Sequence, residues 1–374
     1  MRRPKTKTLI KILLILLLIM LFSVLVYVLT RSYPAFITKY YSDGLYQVIT
    51  FPAKWLPSIL PFSLGEILLT ILLILMAVYF FYSLGKVIRG LIKKTRRPYI
   101  PMLRFFCVLL SEVALAVSLF VWMGGLNYNG LTYAEKNNIQ LQERSAQEVY
   151  DMLLTLIEKA NAVRRTLPEK EDGSVADSRS FQSLSETALN GFQKISESHN
   201  LPEGYYVKAK PALFSYFMCY TNITGIFPYI VPEPIVNAMT PTASLPATIC
   251  HEMAHQRAVA REDEANYIAY LACINNEDPL FQYSGYHLAI VYTLNALYGS
   301  DYALWADAYT HLDEGIVQDF KTSNAFWAQF ETPVADISDA VNDTYLQANN
   351  IEDGVQSYGR LVDLLLAEYY ASKA

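Results

Sequence analysis

Three long apolar runs dominate the first third of the chain, at about 9–29, 64–84 and 105–126. Each reaches the roughly 20 residues needed to cross a bilayer as a helix. Beyond residue 126 the pattern changes to helical amphipathicity. Val149, Met152, Leu153, Leu156, Ile157 and Ala160 recur at three- and four-residue steps, which predicts a helix over 145–167. Residues 168–179 are polar and read as a surface loop, and 180–200 as a second helix. A short strand is expected around 204–208, then an apolar helical run over 211–224. Residues 225–237 look like strand material broken by Pro228, Pro232 and Pro234, which confines a strand to a sheet edge. Ser244 and Pro246 signal a helix start. Helices are then expected at about 261–274, 279–298, 302–328, 332–347 and 352–372. The pattern predicts a membrane anchor (1–126), a connector (127–144) and one mainly helical α+β domain with a small sheet (145–374).

Charge divides the chain the same way. Residues 1–104 hold 15 Lys and Arg against Asp43 and Glu66 alone, whereas the rest holds 15 against 33 acids. A net-negative soluble part repels phosphates and argues against nucleic acid as a partner. The first apolar run is longer than a signal-peptide core, and bulky residues follow it, so an uncleaved anchor is expected. Basic residues crowd the N-terminus (Arg2, Arg3, Lys5, Lys7) and the segment between the second and third runs (Lys86 to Arg104). Both are therefore expected in the cytoplasm, with the domain after residue 126 outside it. Glu112, inside the third run, reads as a carboxyl that helps the spans pack rather than as part of a relay. Cys107, Cys219, Cys250 and Cys273 form no disulfide framework and read as buried thiols, with Cys250 and Cys273 the pair placed for a single bridge.

Chemistry is concentrated in His251-Glu252-Met253-Ala254-His255. On a helix the two histidines share a face and converge on one Zn²⁺, and Glu252 is placed to take a proton from attacking water. They are two of only five histidines in the chain. A catalytic zinc needs a third protein ligand. The position that a third histidine would take is Arg261, so a carboxylate is required, Glu262 or Glu264. On an unbroken helix Glu262 would lie about 10 Å too far along the axis, and Glu264 would face away. The helix must therefore end near Val259–Arg261 and a second must start there, although no Gly or Pro marks the break.

Glu262-Asp263-Glu264-Ala265-Asn266 resembles the E-x-x-A-[DN] segment of glutamate-ligand zinc metallopeptidases (gluzincins). The resemblance implies a zincin-like domain with Glu262 as third ligand and Asn266 as hydrogen-bond partner of a metal histidine. It departs in the step from His255, six residues here against tens in those enzymes. In metallopeptidases of this kind an edge strand above the motif helix binds extended substrate, a role that suits 225–237. More closely, the chain resembles an uncharacterised family of bacterial membrane proteins, known only as a domain of unknown function. That resemblance runs through the apolar runs, the motif and 260–266, Tyr283-Ser284-Gly285-Tyr286, Asn342-Asp343-Thr344-Tyr345-Leu346 and 354–360. Where that family more usually has glycine-aromatic after Gln256-Arg257, this chain has Ala258-Val259.

These readings converge on a membrane-anchored, zinc-dependent metallopeptidase-like protein acting on a protein or peptide substrate. Tyr283, Tyr286, His287 and Tyr358 are the candidates to stabilise an oxyanion. Arg257, Arg261 and Asp263 are expected to be surface or pairing residues. The alternative is a non-catalytic zinc-binding sensor or scaffold. An intramembrane protease is disfavoured, because the motif lies far beyond the last span in polar sequence.

Overall fold

A computed structural model describes residues 6–142, 144–196, 198–349 and 360–373. Thr6–Thr30, Leu64–Ile92 and Ile100–Met123 are helices long and apolar enough to cross a membrane. The third packs between the first and the second. Arg104 reaches Thr6 at one end of this bundle, and Trp122 reaches Ser23 near the other. That second end carries everything else.

The segment between the first two spans is not a simple loop. Pro34–Phe36, a π-helical stretch Ile37–Leu45 and Tyr46–Ser58 follow one another. Tyr46, Thr50, Lys54 and Pro57 make one buried face at helical spacing. Lys54 donates to the Gln256 carbonyl at 3.0 Å, tying this segment to the end of the motif helix.

The domain is mainly helical. Ala146–Arg164 starts with a capping box, in which Ser145 and Glu148 satisfy each other's backbone N–H groups. Phe181–Ile195, Leu245–His255, Glu262–Ile274, Pro279–Ser300 and Arg360–Ala371 surround one apolar core. Gly191 lets two of these helices touch, since a Cβ there would stand 1.9 Å from the Ala272 carbonyl oxygen.

Several boundaries differ from the sequence reading. The strand expected at 204–208 falls instead at Lys210–Pro211 (β1). The backbone of Val207 is occupied by the Gln256 side-chain amide, which donates to its carbonyl and accepts from its N–H, both at 2.8 Å. Only Ser215–Cys219 of the run 211–224 is helical. The helix expected over 302–328 is two, Tyr302–Thr310 and Glu314–Trp327, because Asp313 caps the second through the Gly315 N–H. Ser244 holds the cap position of the motif helix without a side-chain cap bond. The other two strands, Gly225–Ile226 (β2) and Ile235–Val236 (β3), come from the Pro-interrupted segment. Sheet order is β1-β3-β2, with β1 parallel and β2 antiparallel to β3, so β2 lies at an edge. All four cysteines are buried free thiols.

The sheet is mounted on the second span. Glu233, fully buried just before β3, accepts from the Ser63 hydroxyl at 3.1 Å and the Gly65 N–H at 2.6 Å. Its other oxygen pairs with Lys210 at 2.7 Å, and Lys210 also donates to the carbonyls of Pro57 and Phe62. One ion pair thus satisfies a helix start and a helix end together.

Candidate metal centre

The motif helix ends at His255, and the next helix begins at Glu262. The turn between them is made by Ala258, whose φ of 63° lies in the left-handed region. That conformation favours glycine, and a residue with a Cβ costs roughly 1–2 kcal/mol more there. Ala258→Gly is expected to raise stability by about 0.5–1 kcal/mol after the entropy of a freer unfolded chain is deducted. A higher denaturation midpoint with unchanged metal content would show it. A lower midpoint would mean that the methyl's packing near Tyr41 and Tyr46 outweighs the strain.

The turn carries Glu262 back to the histidines. Its carboxylate lies 3.0 Å from His251 Nε2 and 3.7 Å from His255 Nε2, and the two Nε2 atoms are 3.2 Å apart. These separations match the edges of a tetrahedron around zinc, about 3.3 Å for bonds near 2.0–2.1 Å. Both Nδ1 atoms are engaged elsewhere. His251 donates to Asn266 Oδ1 at 2.9 Å, and His255 to the Val259 carbonyl at 2.8 Å. Those bonds fix the tautomers and turn both Nε2 lone pairs inward, an arrangement that only a cation or proton between them relieves. Burial works against a charged His251, but Glu262 outweighs it and lifts the imidazole to about 9. Burial, with the His251 charge beside it, lowers His255, and the two histidines hold Glu262 below its usual range despite its burial. Side-chain exposures of 14 % for His251 and 18 % for Glu262 keep the group reachable from outside.

Glu252 is buried beside the group, 4.0 Å from His251 Nε2, and its Oε2 has no hydrogen-bond partner. Burial raises its carboxyl to about 8. Strand β2 passes directly against it: a Cβ on Gly225 would stand 2.4 Å from Glu252 Oε1. Only glycine allows this approach, which sets the sheet edge beside the carboxylate.

Glu264 does not join the group. It accepts from the Tyr133 N–H at 2.8 Å and faces Arg261 at 3.6 Å. Arg261 also donates to the Tyr128 carbonyl, and Asp263 pairs with Arg360 at 3.3 Å. Arg257 is no surface residue: it is buried with Phe192 and Tyr206 at 3.7 and 4.1 Å from its guanidinium.

The tyrosines around the group are not those singled out from sequence. Tyr283 gives its hydroxyl to Asp319 at 2.5 Å, within a buried cluster with Arg164. Tyr286 packs against Tyr270. Tyr358 lies outside the described residues. Tyr292, five residues beyond His287, accepts from Asn266 at 3.1 Å, and burial with the nearby Glu262 charge pushes it up to about 12. Tyr128, Tyr229 and Tyr345 feel the same carboxylate, and burial holds their hydroxyls protonated. Phe227 lies on His255 at 6.1 Å between centroids. Tyr345 sits in a segment that carried the resemblance, but its ring neighbours Phe120 and Tyr128 come from more than 200 residues away, so no local spacing pointed to it.

His287 is buried with Nε2 unpartnered, and burial lowers it to about 4 from 6.5. The unfolded chain therefore takes up a proton that the folded one refuses. Stability from this site is complete above pH 6.5 and falls as pH drops towards 4, by on the order of 3 kcal/mol. His287→Leu should flatten that limb of the denaturation midpoint; an unchanged slope would assign the acid sensitivity elsewhere.

No curated protein and no solved structure matches this chain. A family model described as "Protein of unknown function (DUF3810)" matches residues 41–366, a region that takes in two spans, the sheet and the whole histidine–glutamate group, and the chain belongs to that family.

Proposed function

We propose that this protein is a membrane-anchored, zinc-dependent metallopeptidase whose domain lies outside the cytoplasm. The observation that carries the reading is the convergence of His251, His255 and Glu262 next to an unpartnered buried carboxylate, Glu252. Their ligand atoms all lie within 4.8 Å of one another, and among the described residues the group has three protein ligands. Three is the number that leaves a coordination position open, as catalysis requires and a structural site does not.

His251, His255 and Glu262 would hold the metal, with Asn266 and the Val259 carbonyl fixing the imidazoles. Bound there, zinc would supply the Lewis acidity that activates water and polarises a peptide carbonyl. Glu252 accepts the proton of the attacking water on its free oxygen and returns it to the leaving amine nitrogen. Its Oε2 has no hydrogen-bond partner to displace in that cycle. Strand β2 would align an extended chain by main-chain hydrogen bonds, with Gly225 admitting the scissile bond beside Glu252. Tyr292, which feels the Glu262 charge, replaces Tyr283 as the candidate to steady the oxyanion.

The test is cleavage of a mixed peptide library by the detergent-solubilised full chain, read by mass spectrometry. Products that vanish with a zinc chelator and return with zinc support the reading. Bound zinc with no product from any peptide favours the sensor or scaffold.

A further inference from the structure

The underside of the domain carries an apolar surface that the three spans do not account for. Three separate ridges contribute to it. The first is the turn around Ser215–Cys219, where Leu213, Phe214, Tyr216 and Phe217 are 50, 42, 52 and 66 % exposed. The whole segment 211–224 has no charged residue. The second is the outer face of Tyr46–Ser58, with Val48, Phe51 and Trp55 exposed on the side away from the buried Tyr46, Thr50 and Pro57. The third is Pro333–Ala348, where Val334, Ile337, Val341 and Tyr345 form an exposed stripe and Asp336, Asp339 and Asp343 fall on the opposite side of the helix.

Each ridge is fastened to the same end of the span bundle. The N–H groups of Leu213 and Phe214 donate to Glu66 in the first turn of the second span, at 2.9 and 3.2 Å. Tyr46–Ser58 links the first span to the second, and its last turn is bound by Lys210. Tyr345 lies against Phe120 near the end of the third span, and Asn349 accepts from Tyr27 near the end of the first. The ridges therefore lie at the level where these helices leave the bilayer. Isolated exposed apolar side chains need no explanation, but three apolar ridges all fastened to the same end of the membrane spans do. Its aromatic content, Trp55 and Tyr216 included, is that of the headgroup boundary.

We propose that the bilayer itself is the partner of this surface. The turn 213–217 and the stripe 334–345 insert into the near leaflet, and the domain sits on the membrane rather than swinging above it on a tether. This rests on the membrane character of the spans and not on the metal. If the peptidase reading also holds, β2 and Glu252 work at the bilayer surface, on chain segments next to another protein's membrane span.

The full chain is reconstituted in phosphatidylcholine vesicles that carry a diazirine on the upper part of one acyl chain. After photolysis, lipid adducts are mapped by mass spectrometry. Adducts on 213–217 and 334–345, at yields comparable with the span residues nearest the domain, are expected. Adducts confined to the spans would overturn the proposal. So would adducts on 213–217 that appear only when each vesicle holds a single chain, which would assign that surface to a second copy. The readout needs neither zinc nor turnover, so failure of the catalytic reading leaves it intact.

Discussion

Glu252→Gln is expected to keep zinc and to lower peptide hydrolysis by about 10²–10⁴-fold, the usual contribution of a positioned general base. The amide is nearly isosteric and makes no bond that orients the ligands. His251 is held by Asn266 and His255 by the Val259 carbonyl, and neither contact involves Glu252. The substitution removes only the basic oxygen, Oε2, which has no hydrogen-bond partner and therefore no structural role to lose. Metal content, denaturation midpoint and cleavage rate should be measured on one preparation. Equal rates in the two proteins would remove Glu252 from the mechanism. Lost zinc would mean that it acts on the metal site instead.

Glu233→Ala is expected to destabilise the folded chain by about 3–5 kcal/mol, the cost of breaking a buried ion pair from one side. Three groups lose their acceptor at once: the Lys210 ammonium, the Gly65 N–H and the Ser63 hydroxyl. Lys210 keeps the Pro57 and Phe62 carbonyls, but no counter-charge replaces the carboxylate among its described partners. The damage falls where the sheet meets the second span, so β2 should loosen from Glu252 before the helical core melts. Denaturation midpoints will show the loss, and hydrogen exchange at 210–236 will locate it. A change under 1 kcal/mol would mean that water reaches Lys210 and that the joint is not dry.

How much of this was legible beforehand follows from the range of each interaction. The apolar runs announce the spans, because a bilayer imposes length and composition on one continuous segment. The four-residue spacing of His251 and His255 is likewise local and places both imidazoles on one helical face. Glu262 against Glu264 could not be settled locally. The choice depends on a turn that Ala258 makes in a conformation normally signalled by glycine. The occupation of Glu264 by the Tyr133 N–H is a contact across 131 residues. Tyr283 and Tyr292 lie on one helix, and only packing decides that the second meets Asn266 while the first meets Asp319. Nor is Tyr46–Ser58 announced locally as a buried helix, because its one charge, Lys54, is buried through contacts with Gln256 some 200 residues away.

The central claim is that two histidines and Glu262 form one zinc site. Zinc content of the full chain, purified in detergent without chelator, tests it most directly. The wild type should carry one zinc per chain, His255→Ala and Glu262→Ala should carry almost none, and Glu264→Ala should retain it. A wild type without zinc under these conditions, or a Glu262→Ala protein that holds it as tightly as the wild type, would contradict the account.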